Sequence, residues 1–141
     1  MNPITLEDIQ QNETIKTYIV RADETLIALG YTEHAFAHVT KTAYEAYSLL
    51  LKLGYDERTA ELARIAGYLH DIGNMVNRVD HAQSGALIAF QLLTGLGMPP
   101  QEIATIVTAI GHHDEATAAP VNPVAAALIL ADKCDVRRSR V

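Results

Sequence analysis

The sequence predicts an all-α, compact single-domain bundle of about six helices. Apolar residues recur at intervals of three and four along most of the 141-residue chain. No segment shows the alternation of apolar and polar residues that is typical of a half-buried strand. Gly and Pro residues separate the apolar stripes, as they do between helices. We therefore expect one domain over residues 1–141.

The first two predicted helices occupy the N-terminal third of the chain. Thr5 with Asp8 indicates a helix start, and Gly30 is a suitable stop. A second helix is predicted from about residue 32 to residue 53, and Gly54 ends it. The apolar stripes of these helices comprise Ile15, Ile19, Ala22, Leu26 and Leu29, and then Phe36, Val39, Ala43, Tyr47 and Leu50.

The third and fourth predicted helices meet at a short polar break. Asp56 can cap the third helix, which runs to His70, and residues 72–74 end it. Asp80 with Gln83 resembles a capping box at the start of the fourth helix. The break therefore lies between two rigid elements.

The last two predicted helices have clear boundaries. Gly97 ends the fourth helix, and residues 99–100, both Pro, precede a fifth helix that reaches Gly111. Asn122 can cap the last helix, with Pro123 at its first position. The loop between these helices is rich in Ala, Thr and Pro.

Composition excludes several function classes. A formal charge of −6 disfavours binding to nucleic acid or to an anionic membrane. The longest apolar run, residues 124–131, is too short to span a bilayer, and residues 1–5 do not resemble a signal peptide. Cys134 is the only cysteine, so no intrachain disulfide can form. We expect a cytoplasmic protein.

The six histidines and a late aspartate form the most informative pattern. Imidazole and carboxylate groups together suit Mn, Fe, Zn or Ni. A carboxylate within the apolar last helix is costly unless it is paired or binds a metal. Taken singly, these residues also fit surface histidines, a capping Asp, a polar turn or a helix end in solvent. As a set they indicate metal-assisted hydrolysis; the set is His38, His70, Asp71, His81, His112, His113 and Asp132, with His34 one turn before His38.

Several cations lie near these residues in the sequence. Lys41 is about one turn beyond His38 and could face a phosphate. Lys133, Arg137 and Arg138 follow Asp132, and guanidinium groups bind phosphate in a bidentate manner. The alternative is that they are ordinary cations at a helix C-terminus, where the helix dipole favours them. An ion pair between Asp135 and Arg138 would fit that alternative.

The ordered set resembles the HD-domain superfamily of metal-dependent phosphohydrolases. Residues 66–74, Ala-Gly-Tyr-Leu-His-Asp-Ile-Gly-Asn, are similar to the hydrophobic-His-Asp-Ile-Gly-Lys signature of that family. The later histidines and Ala131-Asp132-Lys133 resemble the extended ligand set of its two-metal members. Two departures from the family pattern stand out: Asn74 lies where Lys is common, and no Gly-Tyr-Pro element follows His113. Because that element belongs to the cyclic-di-GMP branch of the family, its absence weakens any assignment to that substrate.

The resemblance implies an HD-like metal-site core over residues 32–141, with residues 1–31 as an N-terminal helical extension. It implies two divalent ions, with Fe or Mn first and Zn, Ni, Co or Mg as further options. One ion would be bound by His38, His70, Asp71 and Asp132, and Asp71 would bridge to a second ion bound by His81, His112 and His113. We expect Asp71, His81 and Lys41 to be catalytic, and Lys41, Lys133, Arg137 and Arg138 to contact a substrate phosphate.

The resulting hypothesis is a phosphohydrolase or phosphodiesterase that hydrolyses a nucleotide or related phosphate ester with a metal-activated water. Two alternatives stay open: a di-iron oxygenase of the HD type, and a non-catalytic metal-containing module that binds a ligand. The expected partner is a small phosphorylated molecule, and a homodimer is compatible with the exposed Leu and Tyr residues of such bundles.

Overall fold

The computed structural model describes residues 2–31 and 35–135, and these residues form seven α-helices and one 3₁₀ turn. This confirms the all-α fold. None of the helices in these two ranges is long and apolar enough to cross a membrane. The elements are α1 (Leu6–Gln10), α2 (Glu13–Ala28), α3 (Ala35–Lys52), α4 (Glu57–Leu69), the 3₁₀ turn (Ile72–Met75), α5 (His81–Gly95), α6 (Pro100–Gly111) and α7 (Pro123–Cys134).

Helix α4 is the central element of the bundle. It packs against α1, α3, α6 and α7, so most of its surface is covered by other helices. The closest approach is at Gly67, where a Cβ atom would lie 2.9 Å from the backbone of Ala43 on α3. Only a residue without a side chain permits α3 and α4 to come this close. The C-terminal end of α4 is consequently fixed in the middle of the molecule.

The N-terminal helices share the apolar core of the rest of the chain. Leu6, Ile9, Ile15 and Ile19 are buried in the same cluster as the inner faces of α3 to α7. The carboxylate of Glu61 on α4 accepts a hydrogen bond of 2.7 Å from the backbone N–H of Leu6, which ties α1 to α4. The division into an extension (1–31) and a core (32–141) stays a prediction.

Most predicted helix boundaries agree with the structure. Asp56 and Asn122 accept capping hydrogen bonds from Thr59 and Ala125, as predicted. Gly30, Gly54 and Gly97 have positive φ angles just beyond the ends of α2, α3 and α5. The first predicted helix is divided into two, because the Asn12 side chain caps a new helix by accepting from the Ile15 N–H at 3.0 Å.

The predicted capping box at Asp80 and Gln83 is wrong. Asp80 has a φ of 57°, in the left-handed region, and its side chain makes no capping hydrogen bond. The Gln83 amide donates instead to the carbonyl of Gly111 at the end of α6, at 3.4 Å. The start of α5 is therefore held by the preceding turn and by α6.

Candidate metal centre

Most of the predicted histidines and aspartates come together where five helices begin or end. His38 lies in the first half of α3, and His70 and Asp71 directly follow α4. His81 is the first residue of α5, and His113 lies two residues beyond α6. Asp132 is in the last turn of α7. Because helix ends rather than helix faces supply these groups, side chains from distant parts of the chain point toward one place.

One group of ligand atoms surrounds a single point. The His38 Nε2 atom lies 3.2 Å from His70 Nε2, 3.2 Å from Asp71 Oδ2 and 3.1 Å from Asp132 Oδ1. His70 Nε2 lies 3.4 Å from the same Asp71 oxygen and 3.3 Å from the same Asp132 oxygen. Ligands that bind one ion with bonds of about 2.1 Å lie about 3.0–3.4 Å from one another. His38, His70 and Asp71 therefore fit one metal ion, and the Asp132 oxygen lies at a similar distance from both histidine nitrogens.

A second group lies on the other side of Asp71. The Asp71 Oδ1 atom is 3.6 Å from His81 Nε2 and 3.9 Å from His113 Nε2, and these two nitrogens are 3.2 Å apart. Asp71 thus presents one carboxylate oxygen to each group. Asp71, His81 and His113 together could hold a metal ion, as could His38, His70 and Asp71.

The rings of His70 and His113 are oriented by the helices that carry them. His70 Nδ1–H donates to the carbonyl oxygen of Gly67, and His113 Nδ1–H donates to that of Ile110, both at 2.6 Å. With the proton on Nδ1, the lone pair is on Nε2 and faces the interior of the site. This is the arrangement by which a backbone carbonyl fixes a metal-binding histidine.

The other two rings are oriented from outside their own helices. His38 Nδ1 donates to the carboxylate of Asp135 at 2.9 Å, and this carboxylate is buried. His81 Nδ1 donates to the carbonyl oxygen of Arg78 at 3.2 Å. Asp135 was predicted only as an ion-pair partner of Arg138; it lies directly after the last residue of α7, in extended backbone.

Burial and nearby charges give the histidines of the two groups different pKa values. Burial lowers the pKa of His38, but the carboxylates of Asp132 and Asp71 outweigh it and raise this pKa to about 10. Burial raises the pKa of each of these carboxyl groups, yet the nearby His70 and His38 bring both pKa values below their usual range. Burial and the neighbouring His70 lower the pKa of His113 to about 4. At neutral pH the second group therefore offers uncharged imidazoles.

A cavity of about 230 Å³ opens above both groups. It gives a small ligand access to Asp71, which is itself buried. Five lining residues were absent from the predicted site: Tyr31, Arg78, Asp114, Glu115 and Asp135. Tyr31 and Arg78 were missed because neither belongs to a metal-ligand pattern or to an apolar stripe. The lining residues are Tyr31, His38, Asp71, Arg78, His81, His113, Asp114, Glu115, Asp132 and Asp135.

His112 lies apart from the other predicted ligands. Its Nδ1 donates to the carbonyl oxygen of Thr108 at 2.8 Å, and its ring lines a groove between α5 and α6. Adjacent residues at the end of a helix point in different directions, so His112 and His113 face different sides of α6. The structure brings His113 into the site and leaves His112 outside the cavity.

The predicted phosphate-binding cations are not grouped around the cavity. Lys41 is half-exposed on α3 and forms an ion pair with Glu45 at 3.3 Å. Lys133 is exposed and borders a hollow that shares His113 and Asp132 with the site. The remaining predicted residues, His34, Arg137 and Arg138, lie outside the described residues.

Comparisons with known proteins agree on one family. A model of the HD domain matches residues 35–137. The crystal structure of a predicted HD superfamily hydrolase from an uncultured Thermotogales bacterium is similar to this chain, with a TM-score of 0.60 and 23% sequence identity. That similarity covers 91% of this chain and 71% of the other, and it shows the fold. No curated protein matches this chain.

Proposed function

The chain belongs to the HD domain family, and on this basis we propose that it is a metal-dependent phosphohydrolase or phosphodiesterase. The substrate class is a nucleotide or a related small phosphate ester. The observation that carries the proposal is Asp71, a buried carboxylate with one oxygen toward each of two ligand groups at the base of an open cavity.

The first ion would be held by His38, His70, Asp71 and Asp132. Support comes from the distances of 3.1–3.4 Å among their ligand atoms. Three of these residues are well buried, whereas Asp132 is partly exposed at 32% of its side chain. An ion bound here would therefore be reached by solvent or substrate mainly from the side of Asp132.

The second ion would be held by Asp71, His81 and His113. Three protein ligands, in place of the four of the first group, leave more room for exchangeable ligands. His81 and His113 both have lowered pKa values because burial disfavours their charged forms, so both nitrogens are available at neutral pH. The wider spacing of 3.6–3.9 Å to Asp71 also fits a site that tightens when occupied.

Divalent ions in such a pair supply an acidified water and positive charge that neutralises phosphoryl oxygens. The protein's own contribution is orientation. Asp71 stays ionised and aligns both groups, and His81 is fixed through its bond to the Arg78 carbonyl. Asp114 and Glu115 line the cavity wall, and their carboxylates are candidates for proton transfer to the leaving group.

Metal content and phosphate release from p-nitrophenyl phosphate and bis-p-nitrophenyl phosphate test this proposal. We expect about two equivalents of Fe or Mn in the wild-type protein. Asp71→Asn should lose both ions and fall by at least about 100-fold in rate. The matched control is Asp56→Asn, because Asn caps helices as well as Asp does, so its metal content and activity should equal those of the wild type.

Three outcomes would decide against the proposal. An Asp71→Asn protein with full metal content and activity would overturn the ligand assignment. A wild-type protein that binds no metal after reconstitution would overturn the metal centre. Bound iron with dioxygen consumption and no phosphate release would favour the oxygenase alternative. The cytoplasmic location and the homodimer stay predictions.

A further inference from the structure

Among the described residues that line the cavity, Arg78 is the only Lys or Arg. Five carboxylates line the same cavity, yet Arg78 forms no ion pair with any residue in the described part of the chain. A guanidinium group carries five N–H donors and stays charged at any physiological pH. A charged, many-donor group at the edge of an acidic cavity is therefore left available for an anionic ligand.

The guanidinium of Arg78 is fixed by uncharged neighbours. Its Nη1 donates to the amide oxygen of Asn74 at 3.2 Å, and its Cζ atom lies 5.4 Å from the centre of the Tyr31 ring. Asn74 is completely buried, and its own amide nitrogen donates to the backbone carbonyl of Asp71 at 2.9 Å. A neutral amide and an aromatic ring orient the guanidinium without neutralising its charge.

The backbone of Arg78 is tied to the metal centre as well. Its carbonyl oxygen accepts from the ring and from the backbone N–H of His81, at 3.2 and 3.3 Å. Through Asn74 the side chain is linked to Asp71, and through its own carbonyl to His81. The guanidinium therefore keeps a defined position relative to both residues.

We propose that Arg78 binds the phosphoryl oxygens of the substrate and that Asn74 is its positioning residue. This inference rests on the proposed function and assigns the anion-recognition group of that site. The planar fork of Arg matches two oxygens of one phosphoryl group. Asn74 orients the guanidinium, because its two hydrogen bonds join the Arg78 side chain to the backbone carbonyl of Asp71.

Binding of inorganic phosphate, measured by calorimetry on the metal-loaded protein, tests the role of Arg78. Arg78→Ala should weaken phosphate binding by about 10- to 100-fold, the usual loss for a charge-assisted hydrogen bond, while its metal content stays at the wild-type level. Arg78→Lys should lie between the two because it keeps the charge and loses the fork. The control is Arg21→Ala, which should leave phosphate binding unchanged, because Arg21 is exposed on α2 and pairs with Glu24 on the same helix.

Asn74→Asp tests the positioning role separately. A carboxylate at this position would pair with Arg78 and compete with the ligand, so phosphate affinity and KM should worsen by about 10-fold at unchanged metal content. Unchanged phosphate affinity in Arg78→Ala and in Asn74→Asp would overturn the inference. If Arg78→Ala loses its metal, the test uses Arg78→Lys instead. Wild-type phosphate affinity in Arg78→Lys would overturn the proposal that the planar guanidinium binds the phosphoryl group.

The inference and the proposed function fail in different ways. Phosphate binding that depends on Arg78, in a protein that hydrolyses no phosphate ester, would support the anion site and overturn the proposed hydrolase activity. Hydrolysis with wild-type KM in Arg78→Ala would overturn the anion site and support the proposed hydrolase activity.

Discussion

Replacement of Gly73 by Ala should disrupt both the fold and the metal centre. A Cβ atom on Gly73 would lie 2.0 Å from the carbonyl oxygen of His81 and 2.5 Å from the backbone nitrogen of Gly85. Non-bonded atoms normally stay about 3.5 Å apart, so the 3₁₀ turn and α5 would have to separate by roughly 1–1.5 Å. Both neighbours are backbone atoms, and no side-chain rotation can relieve the overlap.

The magnitude follows from this displacement. Overpacking in a core costs about 1–3 kcal/mol, and an overlap with backbone on both sides belongs at the upper end, about 3 kcal/mol of unfolding free energy. His81 is the first residue of α5, so the same movement carries it away from Asp71. A shift of about 1 Å in a reacting group can lower the rate by about 100-fold.

Urea unfolding and metal analysis of three variants provide the assay. Gly85→Ala should have a milder effect than Gly73→Ala, because its Cβ would meet the nearest backbone atom at 3.2 Å. Gly95→Ala should be neutral or stabilise by roughly 0.5–1 kcal/mol, since nothing lies within 4 Å of its Cβ and Ala favours a helix. The reasoning is refuted if Gly73→Ala unfolds within about 0.5 kcal/mol of the wild type and retains its metal.

Three further predictions concern the ligands, protons and a cap. Asp135→Asn should lower metal affinity by about 10- to 100-fold in a chelator competition, because the Nδ1–H group of His38 loses its charged acceptor; equal affinity would contradict this. The pKa of His38, raised from 6.5 to about 10, contributes stability to the metal-free protein that is fully present below pH 6.5 and lost as the pH rises to about 10. The urea midpoint of the stripped protein should therefore fall over that range. Metal binding at pH 7 should release at least one proton, because the pKa of His70 is raised as well, and calorimetry in buffers of different ionisation enthalpy measures this release. A flat urea profile with no proton release would exclude the protonation of His38. Asp56→Ala should cost about 1 kcal/mol of unfolding free energy by urea titration, because Thr59 N–H loses its acceptor, and a loss of bound metal in this variant would show that the cap is not local.

The fold could be predicted because its signals are local. Helix caps such as Asp56 and Asn122, and glycines such as Gly54, act within a few residues of their own positions. The division at Asn12 was missed because a continuous apolar stripe hides a cap within it. The error at Asp80 has another cause: its left-handed φ depends on the turn that precedes it, and a capping pattern does not specify that angle.

The site could be predicted in part. Residue types that bind metals stand out in the sequence, and the structure brings His38, His70, Asp71, His81, His113 and Asp132 together. The groups that orient them do not stand out, because a backbone carbonyl that accepts from a histidine ring, as those of Ile110 and Arg78 do, has no sequence signature. The role of Arg78 depends on the direction of one side chain across a turn, and that direction is set by tertiary contacts with Asn74 and Tyr31.

The bond between His38 and Asp135 joins residues that are 97 positions apart. An ion held beside this bond closes about two thirds of the 141-residue chain into a loop, and ties across long loops remove the most entropy from the unfolded chain. Metal binding is then coupled to folding. Each tenfold rise in free ion concentration above the dissociation constant adds about 1.4 kcal/mol to the free energy of unfolding. The melting temperature of this protein should therefore serve as a gauge of the metal concentration around it.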